Sequence, residues 1–239
     1  VLTEIAVDAD DLETVTEHGT RLLAALDPQA GVLLRALWLR PPTGTGVLLL
    51  CGHVLALDPV SWQVILGELH AALAGADPLP ERSGYRRWAG ALTERAHALD
   101  TVEYWAAQLA GEDPQLGARR VRPDRDRAGD LTVSVAVADA RITAGLLASE
   151  VPMHDLLVAA TARMVTTWRA RHGQHGAPPL LALETHGRAE DVVPGIDTAD
   201  IAGLLSAIYP LRVPHPDPAG VARALAQIPG GGVDYGLLA

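Results

Sequence analysis

Phenylalanine is absent from this chain of 239 residues, while Ala, Arg and Gly abound, a bias that points to a GC-rich genome rather than to a fold. Cysteine occurs once, at Cys51. That excludes an internal disulfide and fits a reducing compartment, so a cytoplasmic location is expected. Positive charge is in short supply. Nineteen Lys and Arg face 29 Asp and Glu, a formal net charge of −10. This argues against a nucleic-acid surface and leaves room for an acidic face that steers a basic partner. No apolar run reaches the roughly 18 residues of a membrane span. No basic stretch followed by an apolar one opens the chain, so no signal peptide is expected.

What is present is apolar content of 49%, enough for a core, over a length that allows one large domain or two lobes. Val1 to Val7 reads as a strand. Asp8 to Asp11 offers an acidic cap for a helix running to Leu26, with Leu12, Val15, Leu22, Leu23 and Leu26 on its stripe. Val32 to Leu39 and Gly46 to Leu57, split by a Pro/Gly-rich connection, read as a hairpin whose second strand is central in a sheet. Pro59 starts a helix after Asp58 as N-cap. Tyr85 to Leu99 and Thr101 to Leu109 read as further helices, the second capped by Asp100.

Gly111 to Gly129 holds Arg119, Arg120, Arg122, Arg125 and Arg127. It reads as a solvated crossover between lobes, the other reading being a basic docking patch. The expected division is an N-terminal lobe over 1–118, a crossover over 119–127 and a C-terminal lobe over 128–239. The second lobe opens with a strand at Leu131 to Val137. A helix follows from Pro152, with Leu156, Leu157, Ala160, Met164, Val165 and Trp168 facing the core. Leu180 to Glu184, expected to be central in its sheet, and Leu204 to Val213 read as strands. The fold class is α/β.

Two clusters can carry chemistry. His53 and Asp58 flank a strand-to-helix junction, where a histidine can move protons and a carboxylate can orient it. The alternative is a half-buried histidine beside a capping aspartate. Glu184, His186 and Arg188 alternate, so on an extended strand they share one face. They read either as an acid/base with tuning partners or as an ion-pair network. His172 and His175 lie in a Gly-rich turn without thiolate or carboxylate company, so no metal site is expected. Ser61 lacks a nucleophile elbow. No Gly-rich loop between strand and helix cradles a phosphate, and no cofactor is expected.

His53-Val54-Leu55-Ala56-Leu57-Asp58-Pro59-Val60-Ser61-Trp62 resembles the His-His-x-x-x-Asp-Gly-x-Ser-Trp motif of the condensation superfamily of nonribosomal peptide synthetases, in its epimerization branch. Leu183 to Arg188 resembles that branch's Glu-Gly-His-Gly-Arg-Glu motif. Gly203 to Pro210 resembles its Gly-Trp-Phe-Thr-Ser-x-Tyr-Pro segment, and Gly232 to Leu238 its Gly-x-x-Tyr-Gly-x-Leu segment. The resemblance implies a chloramphenicol-acetyltransferase-like, two-lobed V with a tunnel reached by carrier-protein arms. It also implies domains longer than this chain, so parts of the full domain are expected to be lacking.

In the resembled motif the second histidine transfers the proton, and that position is Val54 here. Pro59 and Thr185 replace glycines, Ala189 a glutamate, and Leu204-Leu205 a Trp-Phe pair. By the resemblance, Asp58 is mainly structural and Glu184 matches the glutamate that works opposite the histidine. The expectation is a catalytically degenerate domain (His53, Val54, Asp58) that binds or recruits a tailoring enzyme, such as a haem-thiolate oxygenase, to a peptide on a carrier protein. His186, Arg188 and Tyr209 are the expected substrate contacts. The alternative is an active peptidyl epimerase or condensation catalyst using Glu184 and His53.

Overall fold

The computed structural model describes residues 2–7, 11–78, 80, 82–117, 119–188 and 192–238. Asp8 to Asp10 and Ala189, which figure in the expectations above, lie outside them. The chain divides into two compact units. One comprises residues 1–97 and 186–207, the other 98–185 and 208–239. This differs from a boundary at 119–127: residues 98–117 group with the second unit, and a later segment returns to the first.

In the first unit, β1 (Leu2–Ala6) runs parallel to β2 (Leu34–Arg40), with Leu2 opposite Ala36. β2 pairs antiparallel with β3 (Val47–Gly52), Leu34 opposite Gly52 and Leu39 opposite Val47. The expected hairpin is therefore present. The order β1-β2-β3 makes β2 the middle strand, so β3 is an edge among the described residues. The alternation of β2 buries Leu37 and Leu39 beside Val7, with Ile5, Val15, Leu22, Val47 and Leu49 packed against them. Helix α1 (Leu12–Ala24) starts where the Asp11 carboxylate accepts the Thr14 N–H at 2.8 Å. Its stripe is narrower than the sequence implied: Leu12 and Leu23 are exposed.

Helix α2 (Pro59–Leu73) has Pro at its first turn and Asp58 as N-cap. It is apolar nearly all round, and Leu66 and Leu73 are exposed. Helix α3 (Tyr85–Ala96) buries Trp88 and Leu92. Its start is tied to the returning segment. Arg82 pairs with Asp197 at 2.8 Å, and the Tyr85 hydroxyl donates to the Leu204 carbonyl at 3.2 Å. Residues 192–206 of that segment form no helix or strand, yet Val192, Val193, Ile196, Thr198, Ile201 and Leu205 are buried.

The second unit contains α4 (Val102–Leu109), α5 (Ala140–Leu147), α6 (Met153–Arg171), β4 (Leu180–Thr185), β5 (Ala207–Arg212, whose first residue belongs to the first unit), α7 (Pro218–Leu225) and α8 (Val233–Gly236). β4 and β5 form a two-stranded sheet, so the strand around Leu181 is not central among the described residues. The core gathers Trp105, Val158, Ala159, Ala162, Tyr209, Leu211, Val213 and Val221. Asp100 does not cap α4. Thr101 takes that position without a side-chain bond.

Helix α6 buries Val158, Ala159, Ala162, Val165 and Arg169, while Leu157 and Met164 are exposed. The buried face is thus rotated from the expected one, because the small Ala159 and Ala162 give the closer packing surface. Arg169 enters the core because its guanidinium donates to Asp113 and to the Pro114 carbonyl, both at 2.7 Å. Leu131 to Val137 forms no strand in the structure.

Candidate functional site

At the end of β3 the chain makes a tight turn. The His53 carbonyl accepts the N–H groups of Ala56 (2.8 Å) and Leu57 (3.3 Å). The His53 Nδ1 accepts the Leu55 N–H at 3.1 Å. This occupies the Nδ1 lone pair, so the neutral ring holds its proton on Nε2. The turn displays Val54 and Leu55, 66% and 60% exposed. The position that aligns with the second histidine of the resembled motif is therefore an accessible aliphatic side chain.

One turn later Asp58 is buried, and it organises the interior of this unit. Its Oδ1 accepts the Ser61 N–H at 2.8 Å, the N-cap bond of α2. Its Oδ2 accepts the Leu205 N–H at 3.0 Å, and its own N–H donates to the Gly203 carbonyl at 3.1 Å. Ser61, fully buried, lies within hydrogen-bond distance of Asp58 Oδ1 (2.7 Å) and the Gly203 carbonyl (2.8 Å), and its single proton can serve one of them. The Ser61 oxygen accepts the Gly203 N–H at 2.9 Å.

Arg188 completes the cluster. Its Nη1 donates to Asp58 Oδ2 at 2.7 Å, and its Nη2 to Asp58 Oδ1 at 3.0 Å, a bidentate pair. Nη2 also reaches the Ile201 carbonyl at 2.9 Å and Ser61 Oγ at 3.2 Å. The arginine side chain is 6% exposed and the aspartate side chain 1%. The guanidinium is spent on the interior, which corrects the expectation that Arg188 contacts substrate. The shared-face reading of Glu184, His186 and Arg188 also fails. β4 ends at Thr185, and Gly187, with φ +66°, turns the chain so that Arg188 points inward.

The other expected residues are scattered. Glu184 is exposed, and its carboxylate has no hydrogen bond or ion pair among the described residues. His186 is exposed, and its Nδ1 accepts the Arg188 N–H at 3.0 Å, as His53 does with Leu55. Tyr209 is a core residue, 5% exposed, its ring 6.1 Å from that of Trp105. It packs rather than meeting a ligand. Sequence reasoning missed the part played by Ser61 and by the backbone of Gly203 and Leu205. The Asp58-x-x-Ser61 spacing at a helix start was the one local signal for it.

Burial by itself pushes the Asp58 carboxyl up. The Arg188 guanidinium, the Ser61 hydroxyl and amide and the Leu205 amide outweigh it and hold the carboxyl at about 2. The folded value lies below the unfolded one. The resulting stability is complete above the unfolded value and is lost as pH falls through the folded value. About 2 kcal/mol of unfolding free energy should therefore disappear between roughly pH 4 and pH 2. Urea titrations across that range check this. The same loss in Asp58→Asn would refute the assignment.

This arrangement sits on a recognisable fold. The chain belongs to the condensation domain family, whose model matches residues 2–228. It is 28% identical over 238 residues to surfactin synthase subunit 2 of Bacillus subtilis (strain 168), covering 91% of this chain and 6% of that protein.

Among solved structures it resembles the epimerization domain from the third module of tyrocidine synthetase B, with a TM-score of 0.75 and 22% identity over 99% of this chain and 57% of that one. It also resembles the complex of the X-domain and OxyB from teicoplanin biosynthesis, with a TM-score of 0.62 and 19% identity over 100% of this chain and 56% of that one. These structures share its mixed α/β fold. The chain spans just over half of their length and a small fraction of the surfactin synthase polypeptide. Among the described residues no helix is long and apolar enough to cross a membrane.

Proposed function

We propose that this chain is a condensation-type domain of a nonribosomal peptide synthetase that has lost proton transfer and serves as a binding or recruitment platform. Its partners are a peptidyl carrier protein, neighbouring synthetase domains and a tailoring enzyme, such as a haem-thiolate oxygenase, that works on the carrier-bound peptide. The observation that carries this reading is Val54. It stands where the resembled motif has its proton-transfer histidine, it is exposed, and no atom of its side chain exchanges a proton. Losing one positioned acid/base group typically costs roughly 10²–10⁴-fold in rate.

His53 does not replace it at Nδ1, which the Leu55 N–H occupies. The Asp58–Ser61–Arg188 cluster is intact, so the scaffold persists where the chemistry does not. A solved X-domain of the same fold is held in complex with OxyB, a precedent for the platform reading. The net charge of −10 suits a partner with a basic face, whose association slows as salt screens the field.

The alternative, a residual epimerase or condensation catalyst, draws on Glu184, an exposed carboxylate without a partner among the described residues. His186, equally exposed, remains the proposed substrate contact. Proton exchange at the α-carbon of a carrier-bound peptide decides between the two. The expected result is no exchange, together with saturable binding of the tailoring enzyme that Glu184→Gln and Val54→His leave unchanged. Turnover that Glu184→Gln abolishes would overturn the platform reading.

A further inference from the structure

Residues 119–130 carry five arginines and three aspartates, a net +2 in a chain of net charge −10. The loop they form is folded on itself, with Asp126 at its centre. The Asp126 carboxylate accepts both terminal nitrogens of Arg119, at 2.6 and 2.7 Å, and the Arg122 N–H at 2.7 Å. The Asp126 N–H donates to the Arg122 carbonyl at 2.8 Å, closing one turn. The Arg119 guanidinium, then the Arg122 amide, hold the Asp126 carboxyl below its usual value. Arg127 folds back, its guanidinium donating to the Pro123 and Asp124 carbonyls, both at 3.2 Å. Asp130 accepts the Arg127 N–H at 3.0 Å.

The approach to the loop is pinned as well. The Glu112 carbonyl accepts Arg212 Nη1 at 3.1 Å, Asp113 and the Pro114 carbonyl accept Arg169, and the Gln115 carbonyl accepts Gln174 at 3.5 Å. Two arginines of the loop, Arg119 and Arg127, are thus spent on its own fold. Three are not. Arg120 and Arg122 are exposed, and their side chains have no hydrogen bond or ion pair among the described residues. Arg125 is exposed and stands 3.7 Å from its neighbour Asp124, a loose pair that water screens.

We propose that this loop is a docking surface on which Arg120, Arg122 and Arg125 receive the carboxylates of an acidic protein partner. A guanidinium meets a carboxylate through two parallel hydrogen bonds. A loop ordered beforehand spares the entropy of ordering it on contact. The net charge of −10 repels a long polyanion such as a nucleic acid, which would run past the loop. A compact acidic face meets the loop alone, since fields fade over a Debye length of about 8 Å. This partner differs from the basic-faced one proposed above, and its docking does not depend on whether the chain transfers protons.

Fluorescence anisotropy of a labelled glutamate-rich peptide, with the same peptide carrying glutamine as control, tests this. Binding of the glutamate peptide alone is expected, weakening at least about fivefold as salt rises from about 20 to about 300 mM. Arg120→Gln, Arg122→Gln and Arg125→Gln together should weaken it at least about tenfold. All three are exposed, so circular dichroism should not change. Asp126→Ala separates a shaped surface from bare charge. It adds a positive charge and frees Arg119, so charge alone predicts tighter binding. A pre-formed surface predicts binding weaker by at least about threefold, with hydrogen-exchange protection lost at the Arg122 amide. No binding at low salt, binding that survives the triple substitution, or tighter binding by Asp126→Ala would overturn the proposal. So would a single-stranded oligonucleotide that binds through these arginines more tightly than the peptide.

Discussion

Asp58→Ala is expected to destabilise the chain by about 3–5 kcal/mol, the range for breaking one side of a buried ion pair. The substitution leaves the Arg188 guanidinium buried with the Ser61 hydroxyl and backbone carbonyls as its remaining acceptors. It also removes the cap of α2, a part worth about 0.5–2 kcal/mol. Arg188→Met should cost less. The carboxylate keeps the Ser61 and Leu205 donors and can take up a proton as its value rises. Asp58→Ala with Arg188→Met should recover part of the sum, because no unpaired charge remains. Denaturant unfolding of the two single variants and the double variant measures the coupling. A loss under about 1 kcal/mol for Asp58→Ala would mean that the pair does not hold this unit together.

What the sequence disclosed was local, and what it hid was remote or reversed. The β2–β3 hairpin and the Asp58–Pro59 helix start were legible because turn and cap chemistry act over a few residues. Sheet order is not local. Strand β3 looked central because both its faces are apolar, yet it is an edge among the described residues. The face of α6 was misplaced because apolar residues lie all round it and periodicity then fixes no phase.

Alternation assigned Glu184, His186 and Arg188 to one face, a rule that holds only while a strand lasts. β4 stops at Thr185, so Arg188 escaped the rule. Its partner Asp58 lies 130 residues away, and nothing in either neighbourhood names the other. The core of 192–205 is likewise irregular, held by backbone groups that side-chain patterns do not report.

Gly187→Ala is expected to cost more than about 4 kcal/mol, or to prevent folding, which places it among exceptional single substitutions. Two effects combine. At φ +66° an L side chain pays roughly 1–2 kcal/mol in the left-handed region. A Cβ there would also stand 1.7 Å from the Leu205 carbonyl oxygen and 2.7 Å from its carbon. The obstacle is backbone, so no rotamer relieves it. Leu205 cannot simply move, since its side chain is fully buried and its N–H donates to Asp58. Any shift would therefore also disturb the pair with Arg188, the next residue along from the glycine. Gly195→Ala separates the two effects. Gly195 has φ +79° but nothing within 4 Å of an added Cβ, so it should lose only the conformational part, roughly 1–2 kcal/mol. Thermal and denaturant unfolding of both variants gives the comparison. Equal losses would show that the approach of Gly187 to Leu205 is not what fixes Arg188 on Asp58.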